Sequence, residues 1–565
     1  MRTLSVLVLA VYCLAAQQDP PSKPKEPTEA EKEEIASGIP ISSDLVRKSC
    51  SPCHTVDDKQ RMSRISWRRA TPEGWEHTIK RMVELNGLQI EPAAARDVLR
   101  YLANNLGLAP EEARKAAFEA EKRMEDYHYP VKDVDDVCSR CHSLGRVISQ
   151  RRSKTEWELL IAMHRGYYPF SDFQAFRRMG PPQTEPGPDG RPPDNRHPME
   201  KVLPLLTSGL PLKTPEWSAW SANMGAPKLQ GRWLFRAYQP GRGALYGETV
   251  IRPGEREQEF VTETKYVVAK TGTALTRRGK AILYTGFQWR GRSFEGSSQD
   301  GWREVMFLDR AQRELTGRWF TGGYDETGMY VTMTRVGGDP AVSGLDVTSL
   351  AGGATREVWV FGANFPARPE ASAIDFGRGV AVKRVVSAAA DRVRVEVEVA
   401  KDAATGPRDV SVSGAVLPSA VMLYDKIDAI KVTPVAGMAR VGGIQFPKQL
   451  QQFEAIAYHN GADGKPDTAD DLKLGPVNVT WSIEEFTATF DDNDKDYVGK
   501  IDQTGLFTPN VDGPNPNRPR NANNVGDVWV VAVYQTPDGR KLRARAHLLV
   551  TVPLYMRYDQ PEVAQ

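Results

Sequence analysis

The chain has 565 residues, 40% hydrophobic and 26% charged, and its 74 basic and 72 acidic side chains leave a net charge of +2. That length exceeds what one hydrophobic core supports and points to about three to five domains. The near-neutral balance argues against a nucleic-acid binder, which needs a basic excess, and the ordinary apolar content argues against a largely disordered chain.

At the N-terminus, Met1-Arg2-Thr3 precedes an apolar run from Leu4 to Leu14 and the small pair Ala15-Ala16. This is the pattern of a signal peptide over 1–16, cleaved near Ala16. The run is too short to remain in a bilayer, and no later stretch approaches about 18 consecutive apolar residues. A soluble, periplasmic protein with no membrane span is expected. Lipid attachment at Cys13 would call for a small preceding residue, where Tyr12 stands. Cleavage leaves Cys50, Cys53, Cys138 and Cys141, all in Cys-x-x-Cys pairs, so no thiol is spare for a disulfide framework.

Residues 17–40 are rich in Pro, Lys and Glu without an apolar period and read as a flexible leader. Helical patterning covers 41–222. Thr71-Pro72-Glu73 caps a helix over 72–86 that stops at Gly87, further helices are expected over 91–106 and 110–124, and Ser153-Lys154-Thr155-Glu156 is a capping box for a helix ending near Gly166. The Pro- and Gly-dense run over 180–198 reads as a boundary or wrapping loop, and a Trp-bearing segment over 215–222 packs back on the helices. From 226 the chain alternates apolar and polar residues in short runs. The expectation is an antiparallel barrel-like domain over 226–336 and immunoglobulin-like sandwiches over 337–427 and 428–556. The fold class is multidomain: an all-α N-terminal domain, then three all-β domains.

Cys50-Ser51-Pro52-Cys53-His54 and Cys138-Ser139-Arg140-Cys141-His142 carry the chemistry. Two thiols three positions apart add to the vinyl groups of a haem, and the adjoining histidine becomes the iron's proximal ligand. Two haem c groups are expected, with His54 and His142 as proximal ligands. A four-cysteine zinc site would not require a histidine after each pair, and no thioredoxin-like strand and helix flanks either one.

A sixth ligand for each iron comes from an internal comparison. Trp75, Ile79 and Met82 follow the first motif, and Trp157, Ile161 and His164 follow the second at the same offsets. Such spacing puts each set on one helical face, which proposes Met82 for the first iron and His164 for the second. Met62 and His77 are the alternatives for the first iron, and Met163, His128 and Met179 for the second; His77, two residues from Trp75, points off the shared face.

Other clusters say less. Asp491 to Asp496 resembles the start of a calcium loop, but Tyr497 stands where glycine is needed and no glutamate closes the loop. It reads as a solvated turn, as does the acidic stretch holding Asp463, Asp467, Asp470 and Asp471. Basic runs at Arg64 to Arg69 and Arg151 to Lys154 follow the haem motifs; steering of an acidic redox partner, haem propionates and plain solvent all account for them. No nucleophile–base pair, P-loop or dinucleotide fingerprint is present, so no catalytic residue is assigned.

With the two motifs, the helical units ending at Met82 and His164, and the C-terminal block running from Val479 to Tyr534, the chain resembles the alpha subunit of quinohemoprotein amine dehydrogenase over nearly all of its mature length. The resemblance implies assembly with a β-propeller subunit and a small gamma subunit bearing cysteine tryptophylquinone. It implies that amines are oxidised at that quinone, and that the alpha-subunit haems hand the electrons to a soluble periplasmic cytochrome c or blue copper protein. It places the attachment cysteines on Cys50, Cys53, Cys138 and Cys141, the proximal histidines on His54 and His142, and the distal ligands on Met82 and His164. The longer Pro-rich N-terminal segment and the tail from Tyr555 depart from the family pattern. A di-haem peroxidase and a stand-alone di-haem carrier are the competing expectations.

Overall fold

The computed structural model describes residues 28–115, 131–138, 144–168, 171, 181–188, 190–225, 227–299, 301–321, 327–443, 447–487 and 492–553. The signal peptide, most of the helix expected over 110–124, Cys141, His142 and the tail from 554 lie outside them.

The N-terminal region contains α1 (Glu29–Ala36), α2 (Asp44–Cys50), β1 (Arg68–Ala70), α3 (Pro72–Asn86), α4 (Pro92–Asn105), α5 (Pro110–Lys115), α6 (Lys132–Cys138), α7 (Gly145–Ile148), β2 (Gln150–Arg152), α8 (Lys154–Tyr167), α9 (Pro198–Gly209) and α10 (Pro215–Asn223). Local chemistry sets the ends of α3: the Thr71 side chain accepts from the Gly74 amide, Pro72 occupies the first turn, and Gly87 closes the helix at φ +70°. Only glycine takes that left-handed conformation without cost. The second part of the segment read as a flexible leader is instead ordered. Thr28 and Glu31 form a reciprocal capping box for α1, and the Glu34 carbonyl accepts from Trp67 Nε1 at 2.9 Å.

The region is not purely helical. Strands β1 and β2 pair antiparallel with Arg68 opposite Arg152, Arg69 opposite Arg151 and Ala70 opposite Gln150. On either side of the ribbon, the Thr71 amide donates to the Ser149 carbonyl at 3.2 Å and the Ser153 amide to the Trp67 carbonyl at 3.1 Å. The shift that carries Trp75 onto Trp157 also carries Thr71 onto Ser153 and Arg69 onto Arg151, so a local pseudo-twofold axis runs through the Arg69–Arg151 pair. Both tryptophans are 1% exposed. Trp75 donates its indole N–H to the Leu106 carbonyl at 3.0 Å, past the end of α4, and Trp157 donates to the Leu210 carbonyl at 3.3 Å, past the end of α9.

Strands β3 (Gly231–Gln239), β4 (Gly243–Pro253), β5 (Glu259–Val268), β6 (Ala274–Tyr284), β7 (Gln288–Glu295), β8 (Trp302–Leu308), β9 (Glu314–Thr321) and β10 (Thr327–Arg335) form a closed antiparallel barrel in which β10 pairs with β3. Alternation along the strands sends Trp233, Phe235, Phe260, Trp289 and Trp319 into its core. The haem-motif region docks on this barrel. Ile282 and Tyr284 of β6 join the core of α4, and Leu108 and Ala113 join the barrel's own core. Asn104 Oδ1 accepts from the Thr285 amide at 2.7 Å, and the ion pairs Arg290–Glu73 and Arg100–Glu259 flank that contact.

Two further β units follow. In the first, a four-stranded sheet (Ala341–Leu345, Thr355–Ala363, Arg392–Val399, Val380–Ala389) and a second one (Ser349–Ala351, Ala415–Tyr424, Gly406–Val412, Ile374–Asp375) share one valine-rich core. The last unit packs one four-stranded and two three-stranded sheets around Phe453, Trp481, Phe507 and Val530.

Candidate functional site

The first haem motif is built on the end of α2. Cys50 is that helix's last residue, and the amides of Cys53 and His54 turn back onto its carbonyl at 3.2 and 3.0 Å. Asp57 braces the following loop, accepting from the Lys59 and Arg61 amides at 2.9 and 2.8 Å and from Arg61 Nε at 2.7 Å. The loop brings the Ser63 carbonyl 2.7 Å from His54 Nδ1. A carbonyl can only accept, so Nδ1 carries the proton and Nε2 keeps the lone pair that an iron requires.

Cys138 likewise ends α6, while Cys141 and His142 lie outside the described residues. Burial, with the nearby Cys53, pushes the Cys50 thiol up to about 11; burial, with Asp135, pushes Cys138 up to about 12. Among the described residues, the one group of three or more His, Cys, Asp or Glu side chains converging within 4.8 Å is Glu485, Asp492 and Asp494. Cys50, Cys53 and Cys138 do not come together as a four-cysteine zinc site would need.

The distal candidates occupy matching faces of α3 and α8. Beyond buried Trp75, Ile79 packs on the same core and Met82 is half-buried one turn further on; beyond buried Trp157, His164 is half-buried. His164 Nδ1 stands 2.9 Å from the Leu160 carbonyl, which again leaves Nε2 free to bind a metal. Burial, reinforced by the charges of Arg152 and Arg81, holds this imidazole below its ordinary value and keeps it neutral. Of the alternatives, Met62 is fully buried in the core with Trp75, His77 is exposed and Met163 is half-buried. His128 and Met179 lie outside the described residues. Around the first motif the described residues fit a c-type haem, and Cys138 and His164 are compatible with a second.

Most of the two basic runs is not solvated, although Arg64 and Lys154 remain partly exposed. Arg68, Arg69, Arg151 and Arg152 are all buried, because pairing β1 with β2 turns them into the protein. Glu112 joins the central pair: its Oε2 accepts from Arg69 Nη1 at 2.7 Å, and its Oε1 lies 2.9 Å from Arg69 Nη2 and 3.2 Å from Arg151 Nε. Burial raises this carboxyl, but the hydrogen bonds and charge of Arg69 and the charge of Arg151 outweigh it and hold the group below its ordinary value. Glu112 escaped the sequence reading because nothing local marks it; the repeat that relates Arg69 to Arg151 was the available signal.

The solvated-turn reading of Asp491 to Asp496 also needs correction. Asp492 and Asp494 are each 5% exposed, and both pair with Arg518, at 3.2 and 2.7 Å. That arginine arrives from a distant loop, which local sequence could not reveal. Asp491 lies outside the described residues; Asp463 and Asp467 are exposed as expected, whereas Asp470 and Asp471 are partly buried, Asp470 accepting from the Ala462 amide at 2.6 Å and Asp471 pairing with Lys431 at 3.5 Å.

Family models describing the quinohemoprotein amine dehydrogenase alpha subunit match four successive stretches: the haem-binding part over 41–180, domain II over 226–336, domain III over 345–425 and domain IV over 430–563. The chain belongs to this family. The quinohemoprotein amine dehydrogenase alpha subunit is part of an oxidoreductase with further subunits, and its haem-binding domain implies an electron-transfer role. No curated protein matches the chain at a significant level. Among solved structures, a de novo designed fluorescence-activating β-barrel matches at 16% identity over 20% of this chain and 98% of its own, with a TM-score of 0.17. The SGBP-B protein of the Bacteroides ovatus mixed-linkage glucan utilization locus, in complex with a mixed-linkage heptasaccharide, matches at 12% identity over 46% of this chain and 55% of its own, with a TM-score of 0.19. These scores carry no argument about function. No helix among the described residues is long and apolar enough to cross a membrane.

Proposed function

We propose that this chain is the di-haem c electron-transfer subunit of a periplasmic quinohemoprotein amine dehydrogenase. The observation that carries the reading is the duplicated frame: a cysteine-ended helix (α2 or α6) and a ligand-bearing helix (α3 or α8) on each side of one ribbon. Haem c, when bound, supplies one-electron iron redox chemistry. Cys50, Cys53, Cys138 and Cys141 would tether the two groups, and the irons would be held by His54 with Met82 and by His142 with His164. A thioether ligand would raise the reduction potential relative to a second imidazole, which would make the His54/Met82 centre the better acceptor of the electrons the chain carries. Their source is the cysteine tryptophylquinone of a small partner subunit, where a primary amine is oxidised. Their destination is a soluble cytochrome c or blue copper protein. The barrel and the two C-terminal units, read as immunoglobulin-like sandwiches, form the platform for that subunit and a β-propeller partner.

The test uses the purified native complex. Optical and low-temperature electron paramagnetic resonance spectra should show two covalent low-spin haems, one with a methionine-to-iron charge-transfer band and one bis-imidazole, both reduced when a primary amine is added anaerobically. Met82→His should abolish the charge-transfer band alone. A band that survives this substitution rules out Met82 as ligand. Two normal haems on a lone chain indifferent to amine would instead mark a stand-alone carrier, and a high-spin iron that turns over peroxide would mark a peroxidase.

A further inference from the structure

Between α3 and α8 lies a group of guanidinium ions that the described residues oppose with few negative charges. Arg68 is 7% exposed and Arg152 4% exposed. Arg68 bonds to the Thr78 hydroxyl and, at 3.1 Å, to the Gly74 carbonyl, and it stacks on Trp75 with 4.7 Å to the ring centre. Its Nε has no hydrogen-bond partner, nor does the buried Nε of Arg81. Arg152 donates to Gln150 Oε1 at 2.8 Å and reaches Glu156 Oε2 at 3.4 Å, while Arg64 Nε stands 3.6 Å from that same oxygen. Arg64, Arg81 and Arg152 all bear on Arg68, and among the described residues Glu156 is the carboxylate that opposes them most closely.

The place is as telling as the charge. Arg81 directly precedes Met82, and Arg81 and Arg152 are the two cations that bear on His164. The cluster therefore sits beside both proposed distal ligands. Burying several like charges against one carboxylate is unfavourable unless further anions arrive, and a planar guanidinium is suited to a carboxylate. The charged groups of a haem are its propionate carboxylates.

We propose that Arg64, Arg68, Arg81 and Arg152 form a shared propionate clamp between the two haem units, which ionises the propionates and raises the potential of the irons beside them. This rests on the di-haem reading. Tyr167 and Tyr168, which face Arg81, and Glu156 are the other titratable groups bearing on the cluster.

The experiment is spectroelectrochemistry of the holo complex, wild type against Arg68→Gln, Arg152→Gln and the charge-keeping Arg152→Lys, with haem content measured by pyridine haemochrome. At a fixed potential near the midpoint, each glutamine variant should raise the ferric-to-ferrous ratio of at least one haem about fivefold, the effect of losing roughly 1 kcal/mol of favourable charge interaction. The midpoint should also become pH-dependent nearer neutrality, because a propionate without its arginine takes up a proton at higher pH. Arg152→Lys should restore most of both effects. Full haem content with unchanged ratios and pH profiles in both glutamine variants would overturn the clamp, as would an Arg152→Lys protein that behaves like Arg152→Gln. Fewer than two haems per wild-type chain would overturn the di-haem reading itself, which separates the two failures.

Discussion

The two halves of the haem-motif region share a frame and differ in what surrounds it. Each has a short strand, a hydroxyl-capped helix and a buried tryptophan bonded to the carbonyl that follows a second helix. The first half is packed onto the barrel, with Ile282 and Tyr284 inside its core. The second half has a small core of its own, built from Val134, Leu144, Trp157, Val202 and Leu206. Inside the frame, Arg152 and Glu156 of the second half stand where the first has Ala70 and Gly74. A side chain at Gly74 would lie 2.9 Å from the Ala70 Cβ and 3.6 Å from Arg68 Nη2, so the first half has cleared that space for Arg68. Backbone geometry is shared by the two halves while the charges inside the frame differ.

Breaking the element common to both halves should cost most. Glu112→Ala leaves Arg69 and Arg151 buried without their carboxylate and should destabilise the region by about 3–5 kcal/mol in denaturant unfolding. Loss of haem from one half only would show that the ribbon is not shared. The Glu112 carboxyl is held below its unfolded value of 4.5. Its contribution is therefore complete above that pH and disappears as pH falls through the lower folded value, a dependence that Glu112→Gln should remove.

Trp75→Ala and Trp157→Ala should each cost about 3–5 kcal/mol, since both remove a fully buried ring and orphan a carbonyl. Unfolding monitored separately at each haem sharpens the comparison. Trp157→Ala should loosen the second centre alone, whereas Trp75→Ala should also weaken docking on the barrel. Smaller still, Thr71→Ala and Ser153→Ala each remove a helix cap worth about 1 kcal/mol. Equal losses are expected, and a marked inequality would show that the caps are not equivalent. Gly87→Ala has open space around it, so only the positive φ is strained, and a loss of about 1 kcal/mol is expected with no counterpart in α8.

Where local rules decide the outcome, the sequence was sufficient. Thr71-Pro72 and Gly87 bounded α3, Ser153 opened α8, and the alternation after 226 became strands of a closed barrel. Long-range contacts decided the rest. The strands Arg68–Ala70 and Gln150–Arg152 are three residues each and too short to alternate, so the ribbon and the burial of its arginines were invisible until the halves met. Asp492 and Asp494 misled for the same reason, since Arg518 lies in a separate loop. The repeat that proposes Met82 and His164 corresponds to half-buried positions beyond buried tryptophans, and the alternative Met62 is core. The capping box of Thr28 and Glu31 was a local signal too, but composition drew that segment as a leader.

A strand that lies antiparallel to its own copy, with equivalent residues face to face, is what two identical subunits make when they dimerise about a twofold axis. The Arg69–Arg151 register has this property within a single polypeptide. A single unit joined to its own copy across this edge would have the same geometry. Glu112 departs from that symmetry: one acid serves both central arginines, where an exact twofold axis would supply two or none.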